Sequence, residues 1–509
     1  MSGRTPVCNS QRTAIHVSSA IISTAIKSFQ CIFLAQFARG NQTLKAKRWL
    51  VIVPVVVIVG WLAYDSMQAR KDEEIARSLM QTQEQKKQKQ RTVAEAESET
   101  FSEPPEDMMV AFNPVEDLWF VGKHEDGGGV EIPFRPGKSS ERSKDVTPRG
   151  ANPGFVGPAQ CEECHREKYH SFITTGHYMT SRSVNESTID GNFEPGSNKF
   201  STSDPHVAFE MIRRGDEFLQ RVHFFNWSFE VPMEIIMGSS KMAQTYLYWH
   251  KDGLYQHNVT HITDGNQWIN SPGFIDGDAA YARPIPPRCL ECHLTYFDFR
   301  EKPNRYTPDS LILGVTCERC HGPGEEHVEY HRENTEARRA VGITNPANLE
   351  RQVQMDICGQ CHGGTRQLKG DAMSFRPGDR LDDHYHPPDD ESAAKNSVHT
   401  SNQLTRLSQS ACFQNSQMTC IDCHDPHHNE RGNQKLFSKR CMTCHESEDD
   451  CGLFPHEGVN FADNCIDCHM PRRPTEKLRL KSIEGDVFPP LRDHLIRIDR
   501  EATEAHLAK

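Results

Sequence analysis

The chain has 509 residues, a formal net charge of −12 at pH 7, 36% hydrophobic residues and a mean hydropathy of −0.67. The acidic balance argues against nucleic acid as a partner, because nucleic-acid-binding domains carry clustered positive charge. The apolar fraction is low for this length, since a chain of this size ordinarily buries a large apolar core. The composition therefore indicates that something besides side chains contributes to the core.

The first predicted element is the stretch at 49–64, WLVIVPVVVIVGWLAY, which contains no charged residue. At about 1.5 Å per residue it spans about 24 Å, somewhat less than the ~30 Å hydrocarbon core of a bilayer. Aromatic residues mark both ends, as at membrane interfaces, and no convincing cleavage site follows. A secretory signal and an uncleaved anchor both fit this pattern. We predict a transmembrane signal-anchor at 49–64, a cytoplasmic segment at 1–48 whose start stays open, and an extracytoplasmic remainder.

Residues 65–150 are predicted to form a polar stalk and linker. The part at 65–100 is highly charged, and its apolar periodicity fades after one i,i+4 pair. This favours a solvated stalk over a coiled coil. The part at 101–150 and the residues just after it contain Pro- and Gly-rich segments such as PPED and NPGFVGP, which are typical of an extended linker.

Seven copies of the pattern C-x-x-C-H follow the linker. This pattern is the attachment signal of c-type haem, because two thiols add to the vinyl groups of one haem and the next histidine binds its iron. Zinc binding is the alternative, but zinc does not require a histidine at that fixed position. We therefore predict seven covalently attached haem c groups. The predicted haem-binding residues are Cys161, Cys164, Cys289, Cys292, Cys317, Cys320, Cys358, Cys361, Cys420, Cys423, Cys441, Cys444, Cys465 and Cys468, with proximal iron ligands His165, His293, His321, His362, His424, His445 and His469.

The interval between the first two motifs contains no haem motif and has the pattern of β-strands. Gln244–His250 and Leu254–Ile262 are separated by a short KDG turn, which predicts a hairpin with Asp252-Gly253 at the turn. The run at 218–231, FLQRVHFFNWSFEV, is a second candidate strand pair. This lobe could serve docking or substrate binding, or it could simply cover haems.

Seven porphyrins would supply the apolar core that the side chains lack. The predicted fold is therefore a multihaem cytochrome c of mainly short α-helices and loops wrapped around stacked haems, with a small antiparallel β-rich insertion. The predicted haem domain covers 151–500, with the haem-free insertion at 180–285 and a tail at 501–509.

The sequence segments around the motifs resemble those of a known protein family. The chain resembles the cytochrome c-554-like multihaem cytochromes in five segments, which occur in the same order. They are GPAQCEECHREKYHSFITTGHYMTSR, VTCERCHGPGEEHV, MTCIDCHDPHH, NCIDCHMPRR and RDHLIRI. That group is related to hydroxylamine oxidoreductase and to the pentahaem nitrite reductases. The resemblance covers about residues 150–500 and implies a multihaem redox protein.

The resemblance also implies distal iron ligands, although each could instead be a surface histidine. The implied ligands are His177, His327, His427, His456 and His494, with His399 as a sixth candidate and His384 or His386 as a seventh. His327 lies six residues after His321, a reach of at most about 20 Å, so binding to a neighbouring haem is easier than binding to its own. The histidines at 170, 250, 257 and 261 are predicted not to be ligands, and those in the sheet are expected at the surface.

The resulting hypothesis is a membrane-anchored heptahaem c-type cytochrome that carries electrons between membrane or periplasmic redox partners. A quinol oxidoreductase or a soluble cytochrome would be the partner. The alternative is a multihaem oxidoreductase that acts on a small nitrogen or sulfur compound at one open-site haem, so enzyme activity stays open. Cys412 and Cys451 could form a disulfide or remain free thiols.

Overall fold

The computed structural model describes residues 104–123, 128–301, 303–388, 390–447, 450–452, 463–475, 480–482 and 485–508. The predicted cytoplasmic segment at 1–48, the anchor at 49–64 and the stalk up to residue 103 lie outside these ranges. Among the described residues, no helix is long and apolar enough to cross a membrane. Residues 104–123 and 128–150 of the predicted linker do fall within the described part.

Helix and strand occupy about equal shares of the described residues. The prediction of mainly short α-helices with a small β-rich insertion is therefore wrong. The helices are indeed short, but the described strands outnumber the described helices. The reason is that side-chain alternation builds ordinary antiparallel sheets wherever the chain has no motif, including within the predicted linker.

The first sheet has three antiparallel strands in the order β1-β2-β3. The connection between the first two strands begins at Asn113, whose side chain accepts hydrogen bonds from the backbone N–H groups of Val115 and Glu116. Asp117 then takes a positive φ of 54°, a conformation that Asp tolerates better than most residues. The strands are β1 Met108–Asn113, β2 Leu118–Lys123 and β3 Gly129–Ile132.

A four-stranded meander, β5-β6-β7-β8, confirms the predicted strand pair at 218–231. Buried and less buried residues alternate along β6, where Val207, Phe209 and Met211 face the core. This period of two is what a sheet with one buried face requires. The strands are β5 Lys199–Ser201, β6 Val207–Arg214, β7 Glu217–Phe224 and β8 Trp227–Pro232.

A seven-stranded sheet contains the predicted hairpin, which is confirmed, but its turn was predicted one residue too late, because Gly253 already pairs with His250 as part of the second strand. Its two strands pair antiparallel from Ala243 opposite Ile262 to His250 opposite Gly253. The two-residue loop is Lys251-Asp252, and Lys251 takes the positive φ of 54°. The path is β14-β15-β11-β10-β9-β4, with β12 beside β11. The strands are β4 Ser181–Ser183, β9 Ile235–Met237, β10 Ala243–His250, β11 Gly253–Ile262, β12 Gln267–Asn270, β14 Phe299–Glu301 and β15 Arg305–Tyr306.

The apolar core is concentrated in these sheets. One cluster of buried side chains draws on all three sheets and includes Phe134, Phe209, Tyr246 and Tyr281. A second cluster surrounds Leu254 and adjoins the second haem motif. Beyond residue 390, the buried apolar side chains of the described part are few: Ala394, Val398, Leu407 and Leu480.

The helices carry the motifs and are mostly one or two turns long. Proline at the first position begins two of them, as its fixed φ favours. The predicted tail at 501–509 falls largely on the last helix. The helices are α1 Pro158–Phe172, α2 Pro287–Glu291, α3 Cys317–His321, α4 Glu325–Glu333, α5 Arg351–His362, α6 Leu381–His384, α7 Glu391–Asn396, α8 Gln403–Leu407, α9 Ala411–Gln414, α10 Cys420–Cys423, α11 Gln434–Cys441, α12 Ile466–His469 and α13 Arg500–Leu507.

Short strand pairs and single turns of 3₁₀-helix connect these helices. The strand pairs are β13 Leu294–Tyr296 with β16 Ile312–Leu313, β17 Arg366–Leu368 with β18 Tyr385–Pro388, β19 Arg472–Pro474 with β22 Pro490–Arg492, and β20 Leu480–Ser482 with β21 Gly485–Val487. The 3₁₀ turns are Tyr178–Thr180, Pro308–Ser310, Pro346–Asn348 and Thr400–Asn402.

Candidate haem sites

Each C-x-x-C-H motif lies on or beside a helical turn. The third motif is the whole of α3, the fourth ends α5 and the fifth begins at α10. Residues three apart on a helix share a face, so one turn presents both thiols on one side. In α1 the helix is kinked at the motif histidine, His165, which has φ −109° and ψ 40°.

Four motif histidines each face a histidine from elsewhere in the chain across nearly the same gap. The ring-centroid distances are 6.2 Å for His165–His327, 6.1 Å for His321–His427, 6.1 Å for His362–His177 and 6.1 Å for His424–His494. Every one of these pairs joins a motif histidine to a histidine of the predicted distal set.

This gap has the size that a shared metal ion requires. A histidine nitrogen lies about 2.0–2.1 Å from a bound metal ion and about 1 Å from its own ring centre, so two rings on opposite sides of one ion have centroids about 6 Å apart. The residues present would therefore fit a haem iron held by two histidines at four positions. His327 faces the first motif's His165 and not His321 of its own motif.

The orientation of the rings is set by their second nitrogen. A backbone carbonyl can only accept, so a ring nitrogen facing one carries the proton and leaves the other nitrogen's lone pair for a metal. Burial lowers the pKa of His494 to about 4, which keeps that ring in the neutral, metal-binding form. The Nδ1 to carbonyl distances are 3.3 Å for His293–Thr180, 2.9 Å for His321–Thr344, 2.9 Å for His327–Val341, 2.7 Å for His362–Thr400, 3.0 Å for His469–Arg497 and 3.3 Å for His494–Arg492.

The remaining motif histidines, His293, His445 and His469, face no other histidine ring within the described ranges. His456, the implied ligand between the last two motifs, lies outside those ranges. His399 uses Nδ1 as an acceptor for the Ser401 N–H at 3.2 Å. A neutral His399 therefore carries its proton on Nε2, whereas the rings whose Nδ1 faces a backbone carbonyl carry it on Nδ1.

The other predicted histidines are engaged elsewhere. His384 contacts Ser374 at 3.0 Å through Nδ1 and Asp379 at 3.0 Å through Nε2, and His386 is exposed. His257 and His261 were expected at the sheet surface, and that expectation is wrong. Both are buried, and His257 contacts the Pro232 carbonyl through Nε2 at 2.9 Å. They lie on β11, which is covered on both faces.

Interactions between cysteines of different motifs link the seven motifs into a branched series. Burial, and after it the neighbouring Cys358, raises the pKa of Cys320 to about 12. The pKa values of the thiols shift through their mutual interaction in the pairs Cys161 with Cys317, Cys292 with Cys361, Cys358 with Cys420 and Cys441 with Cys465, and charge interactions link Cys320 with Cys358 and Cys423 with Cys444. Along these interactions the motifs follow one another in the order first, third, fourth, fifth, sixth and seventh. The second motif interacts with the fourth and so forms a branch.

Sequence reasoning missed the residues that hold the ligands in place. Asp493, adjacent to His494, forms a two-pronged ion pair with Arg406, at 2.8 and 2.6 Å, and both side chains are buried. Asp425 contacts Nδ1 of His427 at 3.3 Å. The segment CHDPH could have suggested Asp425 as a partner of His427, because the two residues are only two positions apart. No local sequence feature links Arg406 to Asp493. Cys412 and Cys451 are both free thiols.

Comparisons with known proteins agree with this chemistry. The family described as cytochrome c554 and c-prime matches residues 260–322, which contain the second and third motifs. The multiheme cytochrome MtrA of Shewanella baltica (strain OS185) is 26% identical over 164 residues, which make up 30% of this chain and 48% of MtrA. The chain therefore spans about half the length of this curated relative.

Two solved structures show weaker likeness. The outer cell wall cytochrome OcwA aligns with a TM-score of 0.43 and 15% identity, over 69% of this chain and 81% of its own. The undecaheme cytochrome from the S-layer of Carboxydothermus ferrireducens aligns with a TM-score of 0.31 and 14% identity, over 59% and 44%. On the motifs, the family match and the curated relative, the chain is a multihaem c-type cytochrome with covalently bound haem c.

Proposed function

We propose that the chain is a membrane-anchored heptahaem cytochrome that carries electrons between membrane or periplasmic redox partners. The observation that carries this proposal is the geometry of four motif histidines, each of which faces a second histidine with ring centroids 6.1 to 6.2 Å apart, in motifs that neighbour one another. When bound, the haem irons supply one-electron chemistry at potentials set by their ligands and surroundings. The polypeptide's part is to hold the seven groups close together and in a fixed order.

The chain's residues divide this work between attachment and ligation. The paired cysteines of each motif hold one haem, and the motif histidine binds its iron. His327, His427, His177 and His494 serve as second ligands for the first, third, fourth and fifth motifs, because each faces the corresponding motif histidine. An iron held by two histidines has no vacant position, which suits electron transfer.

The location follows from two features of the sequence. The apolar run at 49–64 supports an anchor, and covalent haem attachment is characteristically completed outside the cytoplasm. A membrane-tethered chain would meet a quinol oxidoreductase or a soluble cytochrome.

A second candidate function is catalysis at one haem with an open iron. The observation in its favour is His293, which faces no histidine ring within the described ranges and lies on the branch from the fourth motif. Burial lowers the pKa of His293, and its Nδ1 contacts the Thr180 carbonyl at 3.3 Å, so the ring is oriented for a single metal bond. A small nitrogen or sulfur compound would be the class of substrate.

One set of measurements separates the two. The haem content of the purified protein is determined chemically, and an electron paramagnetic resonance spectrum is recorded for the ferric form. Seven haems with wholly low-spin signals support the electron carrier. A high-spin signal of about one haem equivalent that shifts with cyanide or nitrite supports catalysis, while fewer than seven haems contradicts the heptahaem proposal.

A further inference from the structure

One of the four histidines that face a motif histidine has a carboxylate beside its outer ring nitrogen. Six candidate ligands of the described part turn Nδ1 toward neutral backbone carbonyls, at 2.7 to 3.3 Å. His427 instead turns Nδ1 toward the Asp425 carboxylate, at 3.3 Å. Its ring stands 6.1 Å from that of His321, nearly parallel to it with an interplanar angle of 26°.

The local backbone holds the carboxylate in that position. Asp425 Oδ1 also accepts the backbone N–H of His427 at 2.9 Å, and Oδ2 accepts from Nδ1 of His428 at 2.8 Å. The Asp425 backbone N–H donates to Glu430, whose charge is matched by Arg440 through two contacts of 2.6 and 2.5 Å. Glu430 is thereby paired with Arg440, and Asp425 is the carboxylate that contacts the His427 ring.

A carboxylate on the outer nitrogen changes the ligand itself. It draws the Nδ1 proton toward oxygen and makes the metal-binding nitrogen more basic than a carbonyl partner does. A more basic ligand stabilises ferric iron over ferrous iron, and hydrogen bonding of this kind is one of the means by which a protein sets a haem potential.

We propose that Asp425 is a positioning and tuning residue that gives the iron site of His321 and His427 a more negative reduction potential than a neutral partner would. The proposal rests on the proposed function, because it requires His427 to be an iron ligand. It would make the third motif, which lies between the first and the fourth in the series, a low-potential step.

The test is a redox titration of the fully haem-loaded chain, followed by optical and electron paramagnetic resonance spectra. Asp425→Asn keeps the size and one acceptor oxygen but removes the charge, so one midpoint potential of the set should rise. Asp425→Glu keeps the charge and should stay near the wild type. Asp382→Asn is the matched control, since it removes an exposed carboxylate paired with Arg366 and should move no potential.

The outcomes are distinct. An upward shift in D425N that D425E does not show supports the proposal. Equal potentials in D425N and D382N overturn it, and so does a shift of equal size in D425E. A new high-spin signal in D425N also overturns it, because Asp425 would then hold the ring in place without tuning it. Failure of the ligand assignment is recognised separately, since His427→Gly would then leave every haem low-spin.

Discussion

At the residue scale, the candidate ligand histidines are positioned by polar side chains that are not candidate ligands themselves. Arg406 on α8 and Asp493 beside His494 form a buried ion pair, with side-chain exposures of 8% and 0%. Asp493 also receives the backbone N–H of Leu495 at 3.0 Å. This pair connects the C-terminal segment to α8, which lies between the fourth and fifth motifs, and so helps to position His494.

Replacing Arg406 with methionine should destabilise the chain by about 3 kcal/mol, because it leaves the buried Asp493 carboxylate without the Arg406 charge. The free energy of unfolding would be measured by chemical denaturation of the haem-loaded protein. A partial high-spin signal is expected as well, since His494 would be held less firmly opposite His424.

Arg497→Met is the matched control for that change. Arg497 contacts the same carboxylate at 3.3 Å, but its side chain is 34% exposed. A partly exposed ion pair is worth about 0–1 kcal/mol, so this variant should cost much less than R406M. Equal losses in the two variants would show that burial of the Arg406 pair is not what stabilises the segment.

At the element scale, the β10–β11 hairpin depends on a glycine for space and not for its backbone angle. A Cβ at Gly253 would lie 2.8 Å from the Tyr255 ring and 3.2 Å from the His250 carbonyl oxygen. Tyr255 is itself buried beside Tyr248, with ring centroids 5.6 Å apart. The ring has little room to move away.

Gly253→Ala should therefore lower the free energy of unfolding by about 1–3 kcal/mol through overpacking. Tryptophan fluorescence can follow the transition, because Trp249 lies on β10. Gly150→Ala is a suitable control, since a Cβ there meets nothing within 4 Å. If both variants unfold at the same denaturant concentration, the predicted clash is relieved without cost.

At the scale of the whole molecule, the β-sheets and the later motifs are stabilised by different means. Residues 199–270 hold a large part of the main apolar cluster, whereas beyond 390 few apolar side chains of the described part are buried. Buried apolar area contributes about 25 cal/mol per Å², so the later region has little of this stabilisation without its cofactors. It must obtain its core from the haems.

A variant with serine at all fourteen motif cysteines should accordingly lose order unevenly. We expect 403–508 to be cut rapidly by protease and to exchange its amide hydrogens quickly, while 199–270 stays protected. Hydrogen exchange with mass spectrometry, compared with the haem-loaded chain, would measure this. Equal loss of protection in the two regions would mean that the sheets also need the haems to fold.

The sequence alone indicated the cofactor and predicted the attachment residues. Covalent attachment needs two thiols and a histidine at fixed spacing, so seven copies of that spacing can be recognised without a structure. The β10–β11 hairpin was equally accessible, because both its alternation and its turn are local features of the chain. The share of strand was underestimated because the prediction assigned nearly all of the core to porphyrins.

The tertiary structure alone decided which histidines face each other. His327 meets His165 and His494 meets His424 across long stretches of chain, and no local pattern encodes such pairings. The same holds for Arg406 with Asp493, which are 87 residues apart. Spacing along the chain fixes covalent chemistry, whereas ligand pairing and buried charge depend on how distant segments pack in space.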